Sequence, residues 1–454
     1  MNIGLFTDTY YPQISGVMTS TRMLEKELQK LGHRVYIFTT TDPNVTGAAP
    51  RVFRLPSMPF AFFPERRVTF VYPPRLLVRL KSFKLDVVHT QTEFSIGIFG
   101  KLVSEFNRIP MIHTYHTMYE DYVHYIANGR LVTPKMAQKL ARLYCNRAQE
   151  VIAPSEKTKS YLTEIGVTRP INTVATGIDF APFAKANFTK EQIVKTRAKF
   201  GIGEADPVIV TVGRVAQEKG LDLLVRQMPE ILREMPDAKL LIVGDGPARA
   251  GLEELAGHIG VRASVVFAGA VPPDAVPLYY QLGNVFATAS ITESQGLTYI
   301  EAIAGGVPVV VKRDRSLENV VIHGKTGFCF ERDAEAARTL LHALSHPDEA
   351  AACAERAIQA IGHLSSERFA KNVEAIYIRA IAERNARKGM RTVRIRRGVG
   401  RIKGRISAGS GKVRGTLRAG GGRVKGTLRA GSGKVRGTLR AGSGKVRAVV
   451  GRRR

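Results

Sequence analysis

The sequence predicts an α/β protein with two facing, Rossmann-like, doubly wound domains and a disordered basic repeat tail. Its length of 454 residues exceeds what one hydrophobic core usually supports, so at least two domains are expected. Up to residue 386, short apolar runs alternate with amphipathic stretches, as in parallel sheets with crossover helices. Residues 387–454 instead repeat a basic motif that contains no acidic residue.

The first domain is predicted to span residues 1–195. Its strands are short apolar runs, predicted at 3–6, 34–39, 86–89, 110–113 and 150–153. Its helices have apolar residues at helical spacing, and they are predicted at 18–31, 96–106, 135–147 and from the cap at 155 to 165.

The second domain is predicted to span residues 196–365, after a basic and poorly apolar connection. Its predicted strands are 208–212, 239–243, 264–267, 285–287 and 307–311, and its predicted helices include 221–235, 248–259 and 297–303. Residues 366–386 are expected to form a C-terminal helix that crosses back to the first domain. Ligands of doubly wound sheets bind at the carboxyl ends of the strands, so residues directly after strands are the site candidates.

The tail, residues 387–454, contains 23 Lys and Arg and no Asp or Glu, whereas the rest of the chain has 45 basic and 39 acidic residues. Its motif, SGKVRGTLRAG, recurs every eleven residues. The apolar spacing is compatible with one face of an 11-residue helical repeat. Three glycines per repeat oppose a helix, so we expect disorder in water and ordering on an anionic surface.

The cysteines and the N-terminus indicate a cellular compartment. Cys145, Cys329 and Cys353 form no CxxC pair, which favours a reducing cytosol over a disulfide framework or a zinc site. The first residues have neither the basic start nor the apolar stretch of a signal peptide, and no run approaches the roughly 18 apolar residues of a membrane span. We expect a cytoplasmic protein, peripheral on the inner face of the cell membrane.

Three cleft candidates are a glycine and two cations that follow predicted strands. Gly16 comes just before a helix, where backbone amides can approach a phosphate; an ordinary glycine turn is the alternative. Arg214 and Lys219 follow the strand at 208–212 and are suited to neutralising a diphosphate leaving group. The alternative for Lys219 is a solvated surface lysine.

The other candidates are two glutamates, a helix start and a histidine. Glu293 follows the strand at 285–287, Gly296 and Leu297 open a helix, and Glu301 lies on its first turns. This placement suits one carboxylate facing a sugar and the other a ribose diol, with helix amides on the phosphate between them. His116 lies just past the strand at 110–113, where a structural role and a functional one are equally expected.

Together these motifs resemble a known family. The combination of ISGV, VGRVAQEKG, VGDGP, TESQGLTYIEAIAGGVPVV and GKTGF resembles the GT-B retaining glycosyltransferases of family 4 over residues 1–386. The segments FTDTYYPQISGV and HTYHTMYEDYVHY most resemble the bacterial 1,2-diacylglycerol 3-α-glucosyltransferases. The resemblance implies transfer of glucose from UDP-glucose to diacylglycerol at the cytoplasmic membrane face, with retention of configuration.

The resemblance also implies a catalytic role for four residues. Arg214 and Lys219 would hold the diphosphate. Glu293 would contact the hydroxyls of the transferred sugar, and His116 would lie beside the anomeric centre.

The remaining implied roles concern donor binding. The amides of Gly16, Gly296 and Leu297 would approach the donor phosphates, and Glu301 would bind the ribose hydroxyls. Many relatives have two glycines in the first turn, where this chain has Ser15 and Gly16, so the loop is expected to be less permissive.

No metal or cofactor is expected. No two aspartates lie two positions apart, so a DxD pair for a divalent ion is absent from the sequence. Cationic side chains and helix amides would then stabilise the leaving group. The sequence offers no evident carboxylate nucleophile, and the family resemblance implies same-face attack with the leaving phosphate taking the acceptor proton.

Two basic segments predict contact with anionic membrane lipids. The first combines cationic and apolar side chains that suit a helix in the headgroup plane, or else an ordinary surface helix: Arg66, Arg67, Arg75, Leu76, Arg79, Leu80, Lys81, Phe83 and Lys84. The second is the tail, where each Lys or Arg near an anionic leaflet contributes about 1 kcal/mol. The same charges predict nonspecific nucleic-acid binding in vitro, without base stacking because no aromatic residue follows Tyr377.

Two other functions are compatible with the sequence. One is another family 4 hexosyltransferase, for instance from GDP-mannose to phosphatidylinositol or to a glycan acceptor. The other is an inactive relative that serves as a polyanion-binding scaffold. Intact Arg214, Lys219, Glu293 and Glu301 argue against the scaffold.

Overall fold

The structure is a computed structural model that forms two units, Met1–Arg384 and Asn385–Arg454. It describes residues 1–13, 15–45, 47, 49–60, 63–70, 72–118, 133–316, 318, 320–406, 413–419, 422–431, 434–441 and 444–451. Side chains are described except at 63–65, 74–75, 77–78 and from 388 onward. Residues 119–125 of the HTYHTMYEDYVHY segment and the side chain of Arg75 therefore lie outside the described part.

The first half of Met1–Arg384 contains a parallel sheet of seven strands in the order β3-β2-β1-β6-β7-β8-β9. Its strands are β1 (Asn2–Phe6), β2 (Arg34–Thr40), β3 (Val52–Leu55), β6 (Val87–Thr90), β7 (Met111–Thr114), β8 (Glu150–Ala153) and β9 (Ile171–Thr173). Between β3 and β6, β4 (Met58–Phe60) and β5 (Phe63–Val68) form an antiparallel ribbon. Every residue of β6, β7 and β8 is buried, as expected for a sheet covered on both faces.

Helices cover both faces of this sheet. They are α1 (Gly16–Lys30), α2 (Pro74–Ser82), α3 (Ser95–Asn107), α4 (Pro134–Cys145) and α5 (Glu156–Glu164). Helices α2 to α5 share one hydrophobic core with the sheet, whereas α1 packs into another core together with Phe369 and Tyr377. These two aromatic residues belong to the first part of α13 (Ser366–Ile406), which packs on the first sheet.

The second half repeats the architecture with six parallel strands in the order β12-β11-β10-β13-β14-β15. The strands are β10 (Val208–Val212), β11 (Lys239–Val243), β12 (Val265–Gly269), β13 (Val285–Thr288), β14 (Val309–Lys312) and β15 (Phe328–Phe330). The helices are α6 (Lys190–Ala198), α7 (Leu221–Glu234), α8 (Arg249–His258), α9 (Val276–Tyr280), α10 (Leu297–Ala304), α11 (Ala336–Ser345) and α12 (Pro347–Ala360).

The predicted pair of doubly wound sheets is confirmed. The prediction omitted β3, β4, β5, β9 and β15. Two of these, β9 and β15, have three residues each and lie at sheet edges, so they carry too few apolar residues for a periodic signal. Among the described residues, no helix is both long enough and apolar enough to cross a bilayer.

The second unit contains the end of α13 (Ser366–Ile406) and, beyond it, four extended strands. Its strands are β16 (Val413–Ala419), β17 (Gly422–Gly431), β18 (Lys434–Ala441) and β19 (Gly444–Gly451), which pair antiparallel in chain order. Within a repeat, residues alternate as in Val413-Arg-Gly-Thr-Leu417, which is also a strand pattern of period two. The disorder expected of the tail in water stays a prediction.

Candidate active site

Three of the candidate residues follow strands that flank the point in each sheet where the strand order reverses. In the first sheet this point lies between β1 and β6, and in the second between β10 and β13. The connections that follow the two strands on either side of this point leave in opposite directions. This opens a crevice at the carboxyl ends of the strands. Gly16 follows β1, whereas Arg214 follows β10 and Glu293 follows β13. Gly16 therefore borders the crevice of the first sheet, and Arg214 and Glu293 border the crevice of the second.

Two helix N-termini meet across the cleft. Helix α1 begins at Gly16 and α10 begins at Leu297, and a Cβ placed on Gly16 would lie 4.0 Å from the Leu297 Cδ1 atom. The Ser15 hydroxyl caps α1 by accepting from the Met18 amide at 3.2 Å. Amides in the first turn of a helix have no intrahelical acceptor and carry partial positive charge. The facing helix starts therefore suit an anion with more than one phosphoryl group.

Gly296 is required by the local shape of the loop before α10. Its φ of 73° lies in the left-handed region, and a Cβ there would lie 1.9 Å from a ring carbon of Tyr299. Tyr299 is buried at 1% exposure, so its ring cannot swing aside without disturbing the core. Glycine thus permits the turn that presents the amides of α10.

Cationic and acidic side chains converge beside these helix starts. The Lys219 ammonium donates to the Glu293 carboxylate with 2.5 Å between Nζ and Oε1, and both side chains are at least three-quarters buried. Arg214 lies on the same loop as Lys219, with its guanidinium 3.9 Å from the Glu218 carboxylate. Lys219, predicted to hold the diphosphate, and Glu293, predicted to bind the sugar, are thus direct partners.

Glu301 lies in the first turns of α10 and contacts the core. The Tyr280 hydroxyl donates to the Glu301 Oε2 atom at 2.7 Å. Burial raises the pKa of Glu301 to about 7, although this hydrogen bond opposes the rise. The carboxyl group therefore changes charge near neutral pH.

His116 lies two residues beyond β7 and contacts a residue that the sequence analysis missed. Its Nε2 atom lies 2.7 Å from Gln91 Oε1, and burial lowers the pKa of His116 to about 3, so the ring is neutral at pH 7. Gln91 is 2% exposed, and within the described part of the chain its Nε2 atom has no hydrogen-bond partner. Gln91 directly follows β6, so the rule that strand ends carry site residues could have identified it.

The loop that carries Glu293 is held by the first half of the molecule. The Ser155 hydroxyl donates to the Ser294 carbonyl at 2.5 Å. The Gln295 side chain bonds the backbone of Thr176 twice, at 2.7 and 2.9 Å. Sequence spacing gave no signal for these contacts because their partners are more than 100 residues apart. They fix the loop between β13 and α10 against the first sheet.

The described apolar residues in and beside the basic helix α2 pack on their own domain. Leu80 is 2% exposed within the first core, and Leu76 and Phe83 pack against that core. This corrects the prediction that these three apolar side chains face lipid: the ordinary surface helix is the better interpretation. Arg79 is exposed, and its guanidinium lies 5.3 Å from the Phe53 ring.

The other cations of this predicted membrane surface differ in their exposure. Lys81 and Lys84 are exposed. Arg66 and Arg67 are half-buried, and Arg67 donates to the Ser57 carbonyl at 2.6 Å. Among the described side chains, no group of three His, Cys, Asp or Glu is placed to hold a metal ion.

Comparison with known proteins agrees with this architecture. The family model "Glycosyltransferase Family 4" matches residues 14–181, and "Glycosyl transferases group 1" matches residues 192–360. An alpha-monoglucosyldiacylglycerol synthase of Streptococcus pneumoniae is 38% identical, over 86% of this chain and 88% of that protein. The synthase of the same name from Acholeplasma laidlawii is 34% identical, over 85% and 98%. The structure of Anabaena Alr3699/HepE in complex with UDP and glucose superimposes with a TM-score of 0.67 at 17% identity, covering 82% of this chain and 98% of that one.

Proposed function

This chain belongs to glycosyltransferase family 4 and has the GT-B fold, and from that premise we propose that it transfers glucose from UDP-glucose to diacylglycerol. The product is an α-glucosyl glycolipid, made with retention at the cytoplasmic face of the membrane. The observation that carries the proposal is the similarity over most of the chain to two alpha-monoglucosyldiacylglycerol synthases. The facing starts of α1 and α10, with their adjacent cations, supply the donor site.

The donor diphosphate lies between the two helix starts in this proposal. The amides near Gly16 and Leu297 bind phosphoryl oxygens, and Arg214 and Lys219 neutralise the charge that develops when the sugar leaves. Binding of the diphosphate recruits Lys219 from its pair with Glu293, which frees carboxylate oxygens to accept from sugar hydroxyls. His116, neutral and fixed by Gln91, lies beside the anomeric centre.

No metal ion takes part in this scheme. Two helix starts and two cationic side chains supply the stabilisation that a divalent ion supplies elsewhere. Transfer is therefore expected to persist in excess EDTA.

Glu301 predicts a pH dependence of donor binding. Its ionised carboxylate accepts from the two ribose hydroxyls, whereas the protonated form has less acceptor capacity. Because burial raises the pKa of Glu301 to about 7, KM for UDP-glucose should rise several-fold, up to about tenfold, between pH 8 and pH 6. Tyr280→Phe removes the hydrogen bond that favours the charged form, so its profile should shift to higher pH. A KM that is flat across this range in both proteins would contradict the assignment.

The direct test is transfer by the full-length protein in liposomes that contain diacylglycerol. UDP-glucose, UDP-galactose and GDP-mannose are offered separately, and phosphatidylinositol replaces diacylglycerol in parallel vesicles. Glucosyldiacylglycerol formed from UDP-glucose, with and without EDTA, supports the proposal. Transfer from GDP-mannose alone would assign another family 4 activity, and no transfer with intact lipid binding would support the polyanion-binding scaffold.

The tail predicts salt-dependent membrane attachment. A chain ending at Ala386 lacks 23 cations and should lose most binding to phosphatidylglycerol vesicles at low ionic strength, where each cation near the surface contributes about 1 kcal/mol. The difference should vanish at about 1 M salt, where the Debye length is about 3 Å. Vesicle co-flotation across a salt series measures it. Equal binding of both proteins to anionic vesicles at low salt would refute the electrostatic tether.

A further inference from the structure

Helix α3 carries an exposed apolar stripe. Phe94, Ile98, Leu102 and Phe106 recur every four residues, and their exposures are 51%, 46%, 42% and 64%. Residues four apart lie on one face of a helix, so the four side chains form a continuous ridge. The opposite face of α3 enters the core through Ile96, Phe99 and Val103. The helix is therefore apolar toward solvent as well as toward the sheet.

Helix α4 also carries exposed apolar residues. Met136, Leu140 and Leu143 are 49%, 64% and 49% exposed. The two helices are direct neighbours, because a Cβ on Gly97 of α3 would lie 2.8 Å from the Tyr144 hydroxyl of α4. We call the seven exposed apolar residues of these two helices the α3–α4 surface. They make up half of the fourteen large apolar side chains exposed in the described part of the chain, which is more clustering than scattered surface residues show.

The charges beside this surface are positive. Helices α3 and α4 contain Lys101, Lys135, Lys139 and Arg142, and a single acidic residue, Glu105, which pairs with Lys101 at 3.3 Å. From α2, the Lys81 ammonium lies 5.0 Å from the Phe106 ring. Apolar side chains flanked by Lys and Arg are complementary to an anionic bilayer interface, where the apolar groups reach the acyl boundary and the cations contact headgroups.

The start of α3 lies close in sequence to a residue of the candidate site. The start of α3 is anchored by Asp8, whose Oδ1 atom accepts from the Ile96 amide at 3.0 Å and from the Ser95 hydroxyl. Phe94, at one end of the ridge, is three residues from Gln91, which bonds His116.

We propose that the α3–α4 surface is the membrane-docking face of the enzyme and inserts into the interface of an anionic bilayer. This inference rests on the proposed lipid acceptor for its purpose. It places the apolar contact on α3 and α4 rather than on Leu76, Leu80 and Phe83, which lie in or pack against the core.

The test compares two pairs of substitutions in the full-length protein. Ile98→Gln with Leu140→Gln removes apolar groups from the surface, and Ile358→Gln with Ile378→Gln is the matched control on helices α12 and α13, with exposures of 43% and 56%. Co-flotation uses phosphatidylglycerol–phosphatidylcholine vesicles without diacylglycerol or donor, at 0.5 M salt, so that the tail is largely screened. We expect the surface pair to lower the partition coefficient at least about tenfold and the control pair less than about twofold.

Two further readouts separate this proposal from the proposed activity. Transfer to a short-chain, water-soluble diacylglycerol should be the same in the surface pair and the wild type, because neither residue lies in the cleft. Unchanged vesicle binding by the surface pair would overturn the docking face even if glucosyl transfer is observed. Lost vesicle binding without any transfer would keep the docking face and reject the activity. A wild-type dimer that the surface pair dissociates, in sedimentation velocity, would assign the surface to a second copy and overturn the proposal.

Discussion

Glu293→Gln is expected to lower kcat for glucosyl transfer about 10²–10³-fold, the range found when a positioned polar group at a reacting centre is removed. The substitution keeps the shape of the side chain and removes its charge. Lys219, whose ammonium lies 2.5 Å from this carboxylate, then loses its ionic partner, and the transferred sugar loses a charged acceptor. Single-turnover transfer with saturating UDP-glucose measures the effect separately from donor binding.

The control for this substitution is a second Lys–Glu pair of the same length. Lys371 and Glu367 are also 2.5 Å apart, but they lie exposed on α13. Glu367→Gln should leave both kcat and KM within about twofold of the wild type, because exposed ion pairs contribute little. If Glu293→Gln kept more than a tenth of the wild-type kcat, its contact with the sugar would be refuted.

Gly296→Ala is expected to reduce kcat/KM for the donor at least about tenfold and to lower Tm by several degrees. A left-handed conformation costs an alanine roughly 1–2 kcal/mol. In addition, the new Cβ would lie 1.9 Å from the buried ring of Tyr299, so the loop must move. That movement carries the first amides of α10 away from the diphosphate.

Gly260→Ala separates the effect of backbone strain from the effect of the contact with the Tyr299 ring. Gly260 has nearly the same φ, 75°, and nothing lies within 4 Å of the position that its Cβ would take. This variant should lose stability through backbone strain alone and keep the wild-type kcat/KM. Equal activity losses in the two variants would show that the contact with Tyr299 is unimportant for the site.

Much of the site could be predicted from the sequence because the strand signal is strong where it matters. Continuous apolar runs marked β1, β10 and β13, and the residues that follow such runs in a doubly wound sheet border the crevice. Gly16, Arg214 and Glu293 were found in this way. Gln91 follows β6 by the same rule, but a single glutamine carries no motif of its own.

Other features depend on packing that spacing does not encode. The pattern of α2 fits a lipid-facing helix and a helix on a core equally well, and only the burial of Leu80 decides between them. The sequence of α3 is ambiguous in a similar way. Because α3 is apolar on both faces, a sequence pattern cannot say which face meets solvent. The bonds from Ser155 and Thr176 to the Glu293 loop require the two halves to be closed on each other.

The measurement that most directly tests the central claim is the structure of the lipid product. Purified full-length protein is incubated with UDP-glucose and diacylglycerol vesicles, and the extracted lipid is analysed by mass spectrometry and proton NMR. We expect one hexose on diacylglycerol, with the small H1–H2 coupling of an α-glucoside. A β-glucoside, or free glucose and UDP without any glycolipid, would contradict it.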